Sequence, residues 1–341
     1  MAIAATLVRQ YALIGSPSVP TRTNGRTQPR QAMAMQTWAM QTWNDIHFSA
    51  RDGLRLYARH YPVTGSTRRP VLCLAGLTRN SRDFHDLATA LARPDDSGRD
   101  VYALDCRGRG HSEHDRDWNN YSLLVELNDV LDFMTQKGLH DAAVVGTSRG
   151  GLLAMMMAVL RPTAIGAVVL NDVGPVLERD GLARIVAYIG RMPLPRDWNE
   201  ATELVREMNR RQFTAVPNEH WSDQARAWFN DDNGLPAPGY DANISKTISL
   251  TDGPMPELWP QFGALARVPV LAIRGDNSDL LSAKTLAEMR SRHPRLTTVS
   301  VPGQGHAPLL KDAPTIKAIA EFLAHTDAKS QALLQPVSAL A

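Results

Sequence analysis

Residues 142–160 constrain the fold more than any other stretch of the chain. Ala142-Ala143-Val144-Val145 is an unbroken apolar run of strand length, Gly146-Thr147-Ser148-Arg149-Gly150-Gly151 follows at once, and 152–160 is a strong helix former stopped by Arg161-Pro162. Strand, sharp turn and helix in that order predict one step of a parallel sheet. Glycines stand two residues either side of Ser148. A Cβ at either place would collide with the neighbouring strand or helix, and the serine itself is expected in a strained backbone conformation. The turn has the form of a nucleophile elbow, with a hydroxyl held up at a helix N-terminus.

The same step recurs along the chain. Strands are predicted near 44–50 and 54–61, meeting at the hairpin signal Asp52-Gly53, then near 70–75, 100–105, 142–147, 165–170, 268–273 and 296–301. Helical patterns alternate with them, so a mostly parallel sheet with helices on both faces is expected. Between Pro175 and Arg267 the rhythm stops. That interval holds Trp198, Trp221, Trp228 and Trp259 with several prolines, and it reads as a helical cap inserted over the strand ends. The expected division is a core at 44–175 and 262–325, a cap at 176–261 and a tail at 326–341. Each cap tryptophan, taken singly, reads as glue between cap and core, and Met155, Met156 and Met157 read as core.

Residues 1–43 differ from the rest: they carry four arginines (Arg9, Arg22, Arg26, Arg30), no acid, and the echo Met35-Gln36-Thr37-Trp38 and Met40-Gln41-Thr42-Trp43. They are expected to be an unstructured extension. The whole chain of 341 residues has a net charge of +2, so without these arginines 33 basic groups face 35 acidic ones. That balance gives no bias toward nucleic acid or a membrane surface, and no run approaches the 18 or so apolar residues of a spanning helix. Cys73 and Cys106 form no disulfide framework and read as buried thiols of a reducing compartment, which places the chain in the cytoplasm.

A serine hydroxyl is inert without a base, and the base needs an orienting carboxylate. The C-terminal third supplies candidates for both. The run Val268-Pro269-Val270-Leu271-Ala272-Ile273 ends in Arg274-Gly275-Asp276-Asn277-Ser278-Asp279, which puts two acids on a loop at a strand's carboxyl end. Further on, Pro302-Gly303-Gln304-Gly305-His306-Ala307-Pro308 frees a histidine to project over the sheet edge. Oxyanion donors are backbone amides, and those of Leu77, after Gly76, and of Arg149, after the nucleophile, are the candidates. The Arg149 side chain is free either to reach a substrate carboxylate or to pair with an acid of the cap.

From about Asp45 to His325 the chain resembles the α/β-hydrolase superfamily, in particular bacterial serine hydrolases with Gly-Thr-Ser-x-Gly-Gly and Asn-Asp-x-Gly-Pro, here at 146–151 and 171–175. It also has Asp105-Cys106-Arg107-Gly108-Arg109-Gly110-His111-Ser112 after the fourth strand. The order serine, acid, histidine is the one the superfamily uses. Many relatives have His-Gly at the oxyanion loop, where this chain has Ala75-Gly76. The resemblance implies the α/β-hydrolase fold with eight strands and a cap, and a triad of Ser148, Asp279 and His306. Asp279 is taken over Asp276 from the form of the loop in similar chains.

These readings lead to a serine hydrolase that cleaves a small-molecule carboxylic ester through an acyl-enzyme. Lactonases and hydrolases of carbon–carbon bonds in ring-fission products use the same constellation, with Arg79 or Arg149 as candidates to hold a carboxylate. A non-catalytic ligand binder of the same fold is the alternative from another class. No cofactor or metal is expected: the Gly108 run lacks the third glycine of a dinucleotide fingerprint, Gly146–Gly151 lacks a phosphate-loop lysine, and His111, His114 and Asp115 match no zinc spacing. Nothing in the sequence sets an oligomeric state.

Overall fold

The apolar runs lie side by side in one sheet in a computed structural model, which describes residues 42–93, 98–248 and 256–334. In chain order the strands are β1 Asn44–Ser49, β2 Arg55–Tyr61, β3 Val71–Leu74, β4 Val101–Asp105, β5 Ala142–Thr147, β6 Ile165–Asn171, β7 Asn230–Asp232, β8 Leu235–Ala237, β9 Val270–Gly275 and β10 Leu296–Val301. Eight of them form the sheet, in the order β1-β2-β4-β3-β5-β6-β9-β10. Only β1 with β2 and β2 with β4 run antiparallel; the other neighbours are parallel. This is the α/β-hydrolase fold that the motifs imply. The pair β7–β8 is a small hairpin that period and composition did not predict.

Helices cover both faces. They are α1 His85–Leu91, α2 Leu123–Gln136, α3 Arg149–Leu160, α4 Arg179–Tyr188, α5 Trp198–Asn209, α6 His220–Trp228, α7 Trp259–Gly263, α8 Ala283–Arg292 and α9 Ala313–Leu334. Because strand side chains alternate, Val144 of β5 joins Leu127 of α2 and Leu153 of α3 on one face. Its neighbour Val145 joins Leu87 of α1 and Ile319 of α9 on the other. Every residue of β6 is buried, as expected of a strand covered on both sides. Burying one such Val or Leu side chain contributes about 1.5–3 kcal/mol. Two helix starts packed on the sheet are capped by serines: Ser122 accepts from the Val125 amide at α2 and Ser282 from the Thr285 amide at α8.

Three boundaries differ from expectation. Strand β9 begins at Val270 rather than 268, because Pro269 has no N–H for the ladder. Helix α9 continues to Leu334, past the expected start of a tail at 326. Trp43, expected within the extension, stacks against Arg59, 4.1 Å from the guanidinium, and packs beside Tyr61 on the core. The expectation for the rest of the N-terminal extension lies outside the described residues.

Between β6 and β9 run α4–α7 and the β7–β8 hairpin. This insertion has its own apolar cluster, in which Trp221 packs with Val205, Phe213 and Phe229. It is fastened to the loop after β4: the Gly110 amide donates to the Gly239 carbonyl at 2.8 Å and the Asp241 amide to that of Gly108 at 2.8 Å. Among the described residues no helix is long and apolar enough to cross a membrane.

Candidate active site

Ser148 joins β5 to α3 with φ 51° and ψ −115°, a left-handed conformation that costs a non-glycine residue energy and is held by its surroundings. The flanking glycines explain how so tight a turn fits. A Cβ on Gly146 would lie 2.5 Å from the Gly150 carbonyl oxygen, and one on Gly150 would lie 2.0 Å from that of Leu74 in β3. The Ser148 amide donates to the Asn171 carbonyl at 3.0 Å, which fixes the elbow against the end of β6.

Two of the three expected triad residues meet. The Ser148 hydroxyl lies 2.9 Å from His306 Nε2. His306 sits on the loop after β10, where Gly303 has φ +63° and where a Cβ on Gly305 would meet Gln212 at 2.4 Å.

The carboxylate on the other side of the imidazole is not the expected one. His306 Nδ1 donates to Asp172 Oδ2 at 2.8 Å. Asp172 follows β6 directly, is fully buried, and has φ 56°. Its Oδ1 accepts from the Gly275 amide at 2.8 Å, and its Oδ2 also accepts from the Ser278 hydroxyl at 2.6 Å. A carboxylate is acceptor-only, so Nδ1 carries the ring proton and Nε2 is left to accept from Ser148.

Asp279 is therefore a correction. Its two oxygens accept from Arg184 Nε at 2.7 Å and Nη2 at 2.9 Å, a bidentate pair with a helix of the insertion. Burial opposes its ionisation, but Arg184, with Gln212 and His306 nearby, holds its carboxyl below the usual range. Asp276 is exposed and lies beside Arg274 at 3.9 Å. The loop after β9 thus serves the histidine through Gly275 and Ser278, which hold Asp172, and not through its own acids.

The two oxyanion candidates lie on either side of the nucleophile. A Cβ on Gly76 would stand 3.7 Å from Ser148 Cβ, so the loop before Leu77 passes directly over the serine. Arg149 is the first residue of α3, where a backbone N–H has no intrahelical acceptor. Both segments are tied to one buried acid. Glu126, fully buried in α2, accepts from Arg109 Nη1 at 2.6 Å and from Arg149 Nε at 2.6 Å, while Arg109 Nε donates to the Leu77 carbonyl at 2.7 Å. Burial pushes the Glu126 carboxyl up, yet the two guanidinium groups outweigh it and the net shift is downward. The Arg149 side chain is thus held by an acid of the core rather than of the cap, and it also donates to the Tyr121 carbonyl at 2.8 Å.

Two cavities meet at Ser148. One, of about 330 Å³, is lined by His306, Arg79, Arg184, Asn209, Gln224 and Trp228 among others. The other, of about 400 Å³, is lined mainly by apolar side chains, including Leu152, Val173, Leu177, Leu182 and Leu280. His306 borders the first cavity and not the second.

The profile of the α/β hydrolase fold family matches residues 69–313. The chain belongs to this family. Among curated relatives of the hydrolase is a 3-hydroxybutyrate-oligomer hydrolase from Cupriavidus necator, 30% identical over 79% of this chain and 93% of the relative. A 2-(acetamidomethylene)succinate hydrolase from Mesorhizobium japonicum is 27% identical over 74% of this chain and 87% of the relative. Among solved structures, an α/β hydrolase from Novosphingobium aromaticivorans superposes with a TM-score of 0.77 at 38% identity, covering 84% of this chain and 99% of that one.

Three residues at the site of this hydrolase escaped sequence reasoning: Asp172, Ser278 and Glu126. Asp172 had a usable signal, since it stands directly after an all-apolar strand, within Asn171-Asp172-Val173-Gly174-Pro175. Ser278 had none beyond its place between the two acids. Glu126 carries no local signal of burial, and only the two arginines from distant segments make its burial tolerable.

Proposed function

We propose that the chain is a carboxylic-ester hydrolase working through an acyl-enzyme on Ser148. The observation that carries this reading is the chain of hydrogen bonds from Ser148 through His306 to Asp172 at the N-terminus of α3. His306 Nε2 takes the hydroxyl proton as Oγ bonds to the ester carbonyl carbon, and the Leu77 and Arg149 amides stabilise the oxyanion. The tetrahedral adduct collapses, the carbon–oxygen bond breaks, and the imidazolium returns the proton to the departing alcohol. Water then repeats the sequence on the acyl-enzyme and releases the acid. Asp172 holds the ring tautomer and supports its positive charge.

The insertion acts as a cap that closes the two cavities over the serine. Hydrolases and esterases among the relatives support the reaction class, and the activity named for the Cupriavidus necator relative, on 3-hydroxybutyrate oligomers, falls within it. The two free cysteines support a cytoplasmic setting.

The test is intact mass after treatment with a fluorophosphonate, together with pre-steady-state hydrolysis of p-nitrophenyl butyrate. One phosphonyl group on Ser148 and a burst of p-nitrophenol, both absent in Ser148→Ala, are expected. No labelling and no turnover by the wild-type chain would leave a ligand binder as the better reading. Lactones and ring-fission products assayed beside the esters separate the remaining hydrolytic chemistries.

A further inference from the structure

The two cavities differ in chemistry, and the position of the imidazole decides which part of an ester each receives. At the tetrahedral centre on Ser148, one substituent is the oxyanion, one is the leaving oxygen and one is the acyl carbon. The leaving oxygen must take its proton from His306 Nε2, so the alcohol part lies in the cavity that His306 lines. The acyl chain is left with the apolar cavity of about 400 Å³.

The wall of the alcohol-side cavity is rich in unused donors. Arg79 pairs with Asp83 through Nε and Nη2, and Arg184 pairs with Asp279 in the same way, so Nη1 of each guanidinium has no protein acceptor among the described residues. Arg79 is further held by stacking on Trp228, 4.4 Å from the ring centre. Trp228 Nε1, a further donor, is buried without a hydrogen-bond partner. Unpartnered buried donors are costly unless a ligand supplies acceptors. An alcohol bearing a carboxylate supplies two oxygens with several lone pairs, in the planar form that a guanidinium edge recognises.

We propose that the preferred substrates are esters of an apolar acyl chain with a hydroxy acid, the acyl chain in the Leu152–Leu177–Leu182 cavity and the carboxylate of the leaving group on Arg184 and Arg79. Asp279 is then a positioning residue: it aims Arg184 into the leaving-group cavity. This assignment rests on the esterase reading above and extends it to the substrate class.

The experiment compares 3-(butyryloxy)butanoate with its uncharged methyl ester, which has the same shape around the scissile bond. The wild-type chain is expected to favour the anion by about tenfold or more in kcat/KM, the scale of one or two charge-assisted hydrogen bonds. Arg184→Gln should raise KM for the anion and abolish most of that preference, the loss on the methyl ester being the smaller of the two. Asp279→Asn should reduce the preference in the same direction without collapsing kcat on either ester.

On p-nitrophenyl esters of increasing acyl length, Leu177→Trp should move the cut-off to shorter acyl chains and leave the anion preference intact. Equal kcat/KM for anion and methyl ester in the wild-type chain, or equal losses on both in Arg184→Gln, overturns the proposal. So does a Leu177→Trp variant that narrows the alcohol scope and spares the acyl scope. Fluorophosphonate labelling of Ser148 in every variant separates these failures from failure of the esterase reading, and melting temperatures identify any variant that has lost its fold.

Discussion

Asp172 Oδ2 stands 2.8 Å from His306 Nδ1, at the carboxyl end of β6, the strand next to the one that leads into Ser148. The orienting acid therefore comes one strand earlier than the loop after β9, and that loop becomes its support.

Asp172→Asn should lower kcat on p-nitrophenyl butyrate by about 10⁴, because the amide can hold the wrong imidazole tautomer. Asp279→Asn should stay within about tenfold of the wild-type chain on this uncharged substrate. Steady-state kinetics on the two variants decides between the acids, and the opposite ranking would return the role to Asp279.

Ser278→Ala removes the hydroxyl that donates to Asp172 at 2.6 Å and leaves that oxygen to His306 alone. A hydrogen bond to a charged group contributes about 1.5–3 kcal/mol. Loss of kcat by about ten- to a hundredfold with KM little changed is expected. A shift in KM alone would mean that Ser278 acts on substrate binding instead.

Leu77→Pro deletes one of the two amides proposed to hold the oxyanion, whereas Leu77→Ala keeps it. The proline variant should lose about 10²–10³ in kcat and the alanine variant much less. Comparing both with their rates of phosphonate labelling shows whether the loss lies in the acylation step.

Glu126 is an acid whose folded-state carboxyl lies below its ordinary value: burial opposes ionisation, but Arg109 and Arg149 together outweigh it. The folded chain thus holds fewer protons there than the unfolded chain. Its stabilising contribution is present above the unfolded value of about 4.3 and fades as pH falls through the lower folded value. Glu126→Gln should cost about 3–5 kcal/mol at pH 7, since the buried Arg109 and the half-buried Arg149 lose their shared counter-charge. It should also flatten the acid side of the melting temperature measured from pH 7 to 3. An unchanged acid limb would assign acid unfolding to other carboxylates.

The sequence by itself determined the features that depend on neighbours along the chain. Alternating apolar runs set the eight strands, Gly146 and Gly150 set the elbow around Ser148, and Gly303 and Gly305 set the loop that carries His306. Each of these is a local preference that packing reinforces. Which carboxylate meets the histidine is a different kind of fact. Asp172 directly follows β6 and Asp279 lies further along the loop after β9, and neither position by itself says which acid the imidazole meets. Tertiary structure made the choice: the Gly275 amide and Ser278 hydroxyl turn onto Asp172, and Arg184, from an insertion about a hundred residues earlier in the chain, captures Asp279. Buried charge takes the partner that folding brings within hydrogen-bond distance, and that distance is set by packing across the sheet rather than by spacing along the chain.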